Sequence, residues 1–110
     1  MALKIRFLFD HLNAGIHGPG VDYTDQSLKL NARYLDLSGA NFTRAYLLPG
    51  SIFANSNLVG ANLTNADFSN QDLSGANLSG ADLSGADLSG VKAHNLIACP
   101  SSLPTNWQCV

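Results

Sequence analysis

Residues 76–90 read ANLSGADLSGADLSG, one five-residue phrase three times over. A period of five suits neither regular element. On an α-helix each step of five turns the Leu about 140° from the last, so no apolar stripe forms. A Gly in every unit would also cost about 1 kcal/mol each in a helix interior. On a straight strand a step of five throws successive Leu onto opposite faces. The large residue faces one way throughout only if the chain bends after every unit.

The columns of the repeat say where it bends. Leu58, Leu63, Phe68, Leu73, Leu78, Leu83 and Leu88 form the apolar centres. Two residues before each stands a small one (Ser56, Ala61, Ala66, Ala76, Ala81, Ala86), with Gln71 the exception. Two residues after each come Gly60, Asn65, Asn70, Gly75, Gly80, Gly85 and Gly90. Gly and Asn are the residues that most readily take the positive φ of a type II turn. Four bends bring the chain back above its start, so a coil takes 20 residues, and coils stack at the strand spacing of about 4.8 Å. Leu58 then lies under Leu78, Leu63 under Leu83 and Phe68 under Leu88. Each buried Leu or Phe contributes about 1.5–3 kcal/mol. One coil cannot hide its own core, whereas stacked coils can.

The phrases ANLSG, ADLSG, ANLTN and ADFSN resemble the A(D/N)LXX phrase of the pentapeptide repeat proteins. The resemblance implies an all-β, right-handed quadrilateral parallel β-helix, and the handedness comes from the resemblance alone. The match is dense over 56–90, irregular over 35–55 and loose elsewhere. Upstream, Leu37, Phe42, Leu47 and Ile52 keep the period one step out of phase, so one extra residue must be absorbed near Pro49-Gly50. Phe53 then competes with Ile52 as a centre, and the irregularity reads as a bulge or as a binding notch. Tyr23, Leu28, Leu30 and Ala32 suggest a first, imperfect coil from about Val21. Val91 and Leu96 precede Ala93 and Ala98 with large and small exchanged, which carries the coil to Ala98. The expected organisation is a strand or cap segment over 1–20, a β-helix of about four coils over 21–98 and a capping loop over 99–110.

Both ends of such a coil expose unpaired edges and an apolar axis. Leu3, Ile5, Phe7 and Phe9 alternate with Lys4, Arg6 and Leu8, a strand with one apolar face. It either caps the first coil or pairs with another molecule. Leu103 and Trp107 are positioned to plug the far end, Trp107 as a cap or as a ligand-stacking residue. Cys99 and Cys109 bracket a loop that a disulfide could close; in a reducing cytosol they would be free thiols. No apolar run nears the roughly 20 residues of a membrane span, and the start does not make a good signal peptide. These favour the cytosol, whereas a cysteine bridge would favour an extracytoplasmic site.

Chemistry is thin. His11, His17 and His94 fall in no HExxH spacing, and no CxxC pair or GxSxG elbow occurs. His94, Cys99 and Cys109 offer three ligands where a structural zinc takes four. "GIHGPG" lacks the strand-then-helix context of a phosphate loop and reads as a turn. No catalytic residue, metal or cofactor is therefore assigned, and the chain is expected not to be an enzyme. A net charge of −2 gives no reason to expect nucleic acid.

Asp67, Asp72, Asp82 and Asp87 each stand immediately before a centre, with no Lys or Arg between Ser51 and Val91. They make a solubilising outer wall or an acidic face for a basic partner. Among the proteins it resembles, some inhibit DNA gyrase as an acidic, DNA-like rod. This chain departs from them in being short and only mildly acidic, with no evident C-terminal dimerisation helix. The reading is a scaffold or protein-binding module using an outer face. The alternatives are a unit that stacks end to end into oligomers or filaments and, behind it, a DNA-mimic inhibitor of a topoisomerase.

Overall fold

A tight corner is the element from which the fold grows. At Leu58 the carbonyl accepts the N–H of Ala61 at 3.0 Å, with Gly60 between them at φ 67°. The same closure recurs from Leu63 to Ala66, Leu73 to Ala76, Leu78 to Ala81 and Leu83 to Ala86. Asn65, Gly75, Gly80 and Gly85 hold the positive φ there, as the third position of a type II turn requires.

The computed structural model describes residues 17–109. The strand pattern at Leu3, Ile5, Phe7 and Phe9 lies outside the described residues. Between corners the chain is extended but too short for long strands. Two-residue strands β1 (Ser27–Leu28) and β2 (Tyr46–Leu47) pair in parallel, and the other contacts are single parallel bridges. The described residues hold strands and no helix, so the architecture is a parallel β-helix. Asp22 pairs with Asn41, Asn41 with Asn62, Asn62 with Asp82 and Asp82 with Ser102. Tyr46, Asp67 and Asp87 make a second stack, and Asp36, Asn57, Asn77 and Ala98 a third. Up to Asp87 the residue after each bridged position points to the axis: Leu37, Phe42, Leu47, Leu58, Leu63, Phe68, Leu73, Leu78, Leu83 and Leu88 are all buried. Towards the chain start the axis is aromatic, with Phe42 stacked on Tyr23 at 4.7 Å and Phe53 against Phe68 at 5.0 Å.

Two irregularities meet at one corner. Leu28 and Ala32 are only four apart, and Leu47 and Phe53 are six apart, while all four side chains are buried. Phe53, not Ile52, takes the axis: Phe53 is fully enclosed and Ile52 only half-buried. The inserted residue moves the turn from Leu47 to Leu48, whose carbonyl accepts the Ser51 N–H at 3.2 Å, with Gly50 at φ 91°. Leu47 thereby loses its turn partner, and its carbonyl accepts instead from the Gln71 side-chain amide at 3.3 Å. On the short coil the Leu30 N–H donates to the Ser51 hydroxyl at 3.1 Å. Ser51 and Gln71 are two of the three buried polar residues of the described chain, with Ser56 the third. The exception in the small-residue column is thus the group that satisfies a carbonyl the extra residue orphans.

The last coil departs from the expected alternation. Lys92 pairs with Asp72 in register, placing Ala93 over Leu73. Ile97 then donates its N–H to Ala76, while the Ala98 carbonyl accepts from Leu78, so two residues oppose Asn77 in a β-bulge. Ala98 therefore lies beside Asn77 in the wall instead of on the axis, and Cys99 follows it. Pairing runs past Ala98 to Ser102, which bridges Asp82, so the coil extends into the stretch expected to be a capping loop.

Candidate functional site

The outer wall is built by the residue before each centre. In unit after unit an Asp or Asn there turns its Oδ1 back to accept the backbone N–H two residues on. Asp82 holds Ser84 N–H at 3.0 Å and its hydroxyl at 2.6 Å. Asp67 holds Ser69 at 2.9 and 2.6 Å, and Asn62 holds Thr64 at 3.0 and 2.6 Å. Asp72, Asn77 and Asp87 take the N–H of Ser74, Ser79 and Ser89. This side-chain turn rigidifies the wall, and it explains why Asp and Asn alternate freely there and why Ser or Thr so often follows. The hydroxyls of Ser74 and Ser84, then their N–H groups, hold the carboxyls of Asp72 and Asp82 below the usual carboxylate range. For Asp87 the Ser89 N–H leads and its hydroxyl follows.

The four aspartates do not share one surface. Asp67 and Asp87 are bridged on one wall. Asp72 is bridged to Lys92, whose charge lowers its pKa further. Asp82 sits between Asn62 and Ser102. Below Asp67 comes Tyr46, exposed at 41%. That wall therefore presents Tyr46, Asp67 and Asp87 in line. Nearer the chain start, Arg44 grips Asp25 in two bonds of 2.6 and 3.0 Å across stacked corners. Both residues hold positive φ, as does Tyr34, which is exposed at 75%. Asp25 is of a type that visits positive φ, whereas Arg44 and Tyr34 mark their corners with no residue type suited to it.

The other feature is at the C-terminal end of the axis. Cys99 and Cys109 are joined in a disulfide, which folds the loop carrying Leu103 and Trp107 back over the end. Beneath it lies a cavity of about 240 Å³, floored by Leu73, Leu78, Leu83 and Leu88 and covered by Leu96, Leu103 and Trp107. Trp107 covers the axis without filling it, and remains 47% exposed. His94 is exposed and far from forming a ligand set with the bonded cysteines. Among the described residues no three His, Cys, Asp or Glu side chains gather into a metal-binding group. Nor is any helix among them long and apolar enough to cross a membrane.

A coil of five-residue units closed by positive-φ corners and stacked in parallel defines a β-helical solenoid protein. Residues 51–90 match the family model of pentapeptide repeats in eight copies, so that segment is built of pentapeptide repeats. Solved structures similar to it are also pentapeptide repeat proteins. One is HetL, involved in heterocyst differentiation regulation, from the cyanobacterium Nostoc sp. strain PCC 7120, at 31% identity and TM-score 0.37 over 69% of this chain and 35% of that one. Another comes from the Arabidopsis thaliana thylakoid lumen, at 23% identity and TM-score 0.36 over 83% of this chain and 63% of that one. A third, from the cyanobacterium Cyanothece 51142, has 21% identity and TM-score 0.35 over 83% of this chain and 95% of that one. This chain thus spans about a third and under two thirds of the length of the first two. No curated protein matches it.

Proposed function

We propose that the chain is a non-enzymatic protein-binding module, a right-handed, four-sided β-helix of about four coils that binds a partner on a flat wall. Bridges that recur 19 to 21 residues apart support the four-sided reading. The observation that carries the function is the line of Tyr46, Asp67 and Asp87 on one wall. Each carboxylate spends Oδ1 on its own chain and keeps Oδ2 for a partner. Stacked at about 4.8 Å per coil, the three suit an extended basic segment, with arginine against a carboxylate and a second cation over the Tyr46 ring.

The test is titration with an arginine-rich decapeptide, followed by backbone amide shifts. The reading expects saturable shifts centred on Tyr46, Asp67 and Asp87. Asp67→Asn with Asp87→Asn should weaken binding about tenfold, the scale of roughly 1.4 kcal/mol, and Asp72→Asn with Asp82→Asn should leave it near the parent value. Equal loss in both pairs would reduce the attraction to bulk charge and sink the reading. Light scattering on the same samples should show a monomer; concentration-dependent growth would favour end-to-end stacking instead.

A further inference from the structure

We propose that the cavity at the C-terminal end of the axis is a binding site for a small, neutral, largely hydrocarbon molecule, about the size of one or two aromatic rings. This rests on observations separate from the wall.

The cavity follows from which residues the last coil places over the Leu ladder. Lower coils set Leu or Phe over each centre, with side chains enclosed on both sides. In the last coil Ala93 stands over Leu73, and the bulge at Ile97 and Ala98 brings Cys99, not a Leu, to the next position. The bulk that would close the axis is missing, and the stapled loop roofs the gap instead of collapsing into it. The result is a space of about 240 Å³, partly open to solvent and mostly apolar in its lining.

Size and lining choose the occupant. An apolar cavity of about 150 Å³ binds benzene and does not fill with water, whereas drug-sized sites run from about 300 Å³ upward. This one lies between. Its floor is four Leu side chains and its roof includes the Trp107 ring, so the surface offers apolar contact and one aromatic face. Apart from Gln108 the lining is hydrocarbon and aromatic, so a charged ligand would lose hydration for little return. Ala93 on the rim is exposed, which leaves a mouth open to solvent. The space is too small for a strand or helix of another chain, which separates this site from a docking surface.

Trp107 is the only tryptophan of the chain, so the site carries its own reporter. The experiment is titration of the intact, oxidised protein with toluene, and separately with naphthalene, read by Trp107 emission for toluene and by Leu methyl shifts for both. Saturable binding is expected, with shifts confined to the floor leucines. Ala93→Leu should fill the mouth and weaken toluene at least tenfold. Trp107→Ala, which removes a half-exposed ring from the roof, should weaken it similarly in the methyl shifts. Cys99→Ser with Cys109→Ser should do the same by releasing the roof. Shifts that rise linearly without saturating, or binding unchanged in both Ala93→Leu and Trp107→Ala, would overturn the proposal. So would toluene binding that appears only in a self-associated form, because the cavity would then belong to an interface between copies.

Discussion

Gln71 offers the sharpest check on how the coil absorbs its extra residue. Its amide donates to the Leu47 carbonyl, the group left over when the turn moves to Leu48. Gln71→Ala should therefore strand a buried acceptor, a loss of about 1–3 kcal/mol. Gln71 Oε1 itself lacks a partner in the described structure, and removing it offsets part of that cost. About 1–2 kcal/mol is the expected net, or several degrees of melting temperature in a domain of this size. Deleting Pro49 provides the second arm of a double-mutant cycle. The shortened stretch reads Leu47-Leu48-Gly50-Ser51-Ile52-Phe53, a regular unit in which the Ser51 N–H again closes on Leu47. In that background the carbonyl has its turn partner, the Gln71 amide has none, and Gln71→Ala should be neutral or stabilising. The coupling between the two changes should reach at least 1 kcal/mol in urea melts of the four proteins. An equal cost of Gln71→Ala in both backgrounds would refute the compensation.

Other expectations can be checked in the same melts. Leu63→Ala, enclosed by coils on both sides, should cost about 3–5 kcal/mol. Leu78→Ala, already facing the end cavity, should lie nearer 2 kcal/mol, and Ser79→Ala on the wall should stay within about 0.5 kcal/mol. Gly80→Asn should be mild, since a Cβ there meets only the backbone of Gly60 at 3.8 Å, whereas Gly85→Asn should be worse because its Cβ collides with the Asn65 side chain. Ser56→Ala should raise stability by about 1 kcal/mol, as the buried hydroxyl has no hydrogen-bond partner. Asp22, Asp36, Asp72, Asp82 and Asp87 titrate below their ordinary range when folded. Their contribution is therefore full above the unfolded carboxylate value of about 3.9 and is lost as pH falls through the lower folded values. Urea midpoints should drop below about pH 4, and less so in Asp82→Asn.

The regular half of the fold is legible because its period is physically exclusive: a five-residue step with Gly or Asn two places after each Leu leaves room for little but a bent, stacked coil. The irregular corner is only half legible. The phase change around Pro49 announces an extra residue, but not that Gln71, one coil further on, repairs the bond it breaks. That repair depends on a contact 24 residues away in sequence. The wall is legible only in part. Asp67, Asp72, Asp82 and Asp87 look like a charge pattern, yet each is first a local hydrogen-bond acceptor, a role the Ser two places on could have disclosed. At the far end, Ala93 signals missing bulk, whereas the bulge that moves Ala98 into the wall leaves no mark in residue type.

The corners also constrain how such a chain can be lengthened. Asn55 lies beneath Gly75, Asn65 beneath Gly85 and Asn70 beneath Gly90, and in each pair the Asn side chain occupies the place a Cβ on the glycine would need. A tandem copy of residues 71–90 puts glycine over glycine and is accepted. A tandem copy of residues 51–70 puts asparagine over asparagine at three corners at once, and each lower Asn side chain must then leave its present place. Lengthening the rod is thus easiest through the glycine coil, where no side chain has to move, and the near-uniform text of residues 71–90 is the part of this sequence that duplication would multiply at least cost.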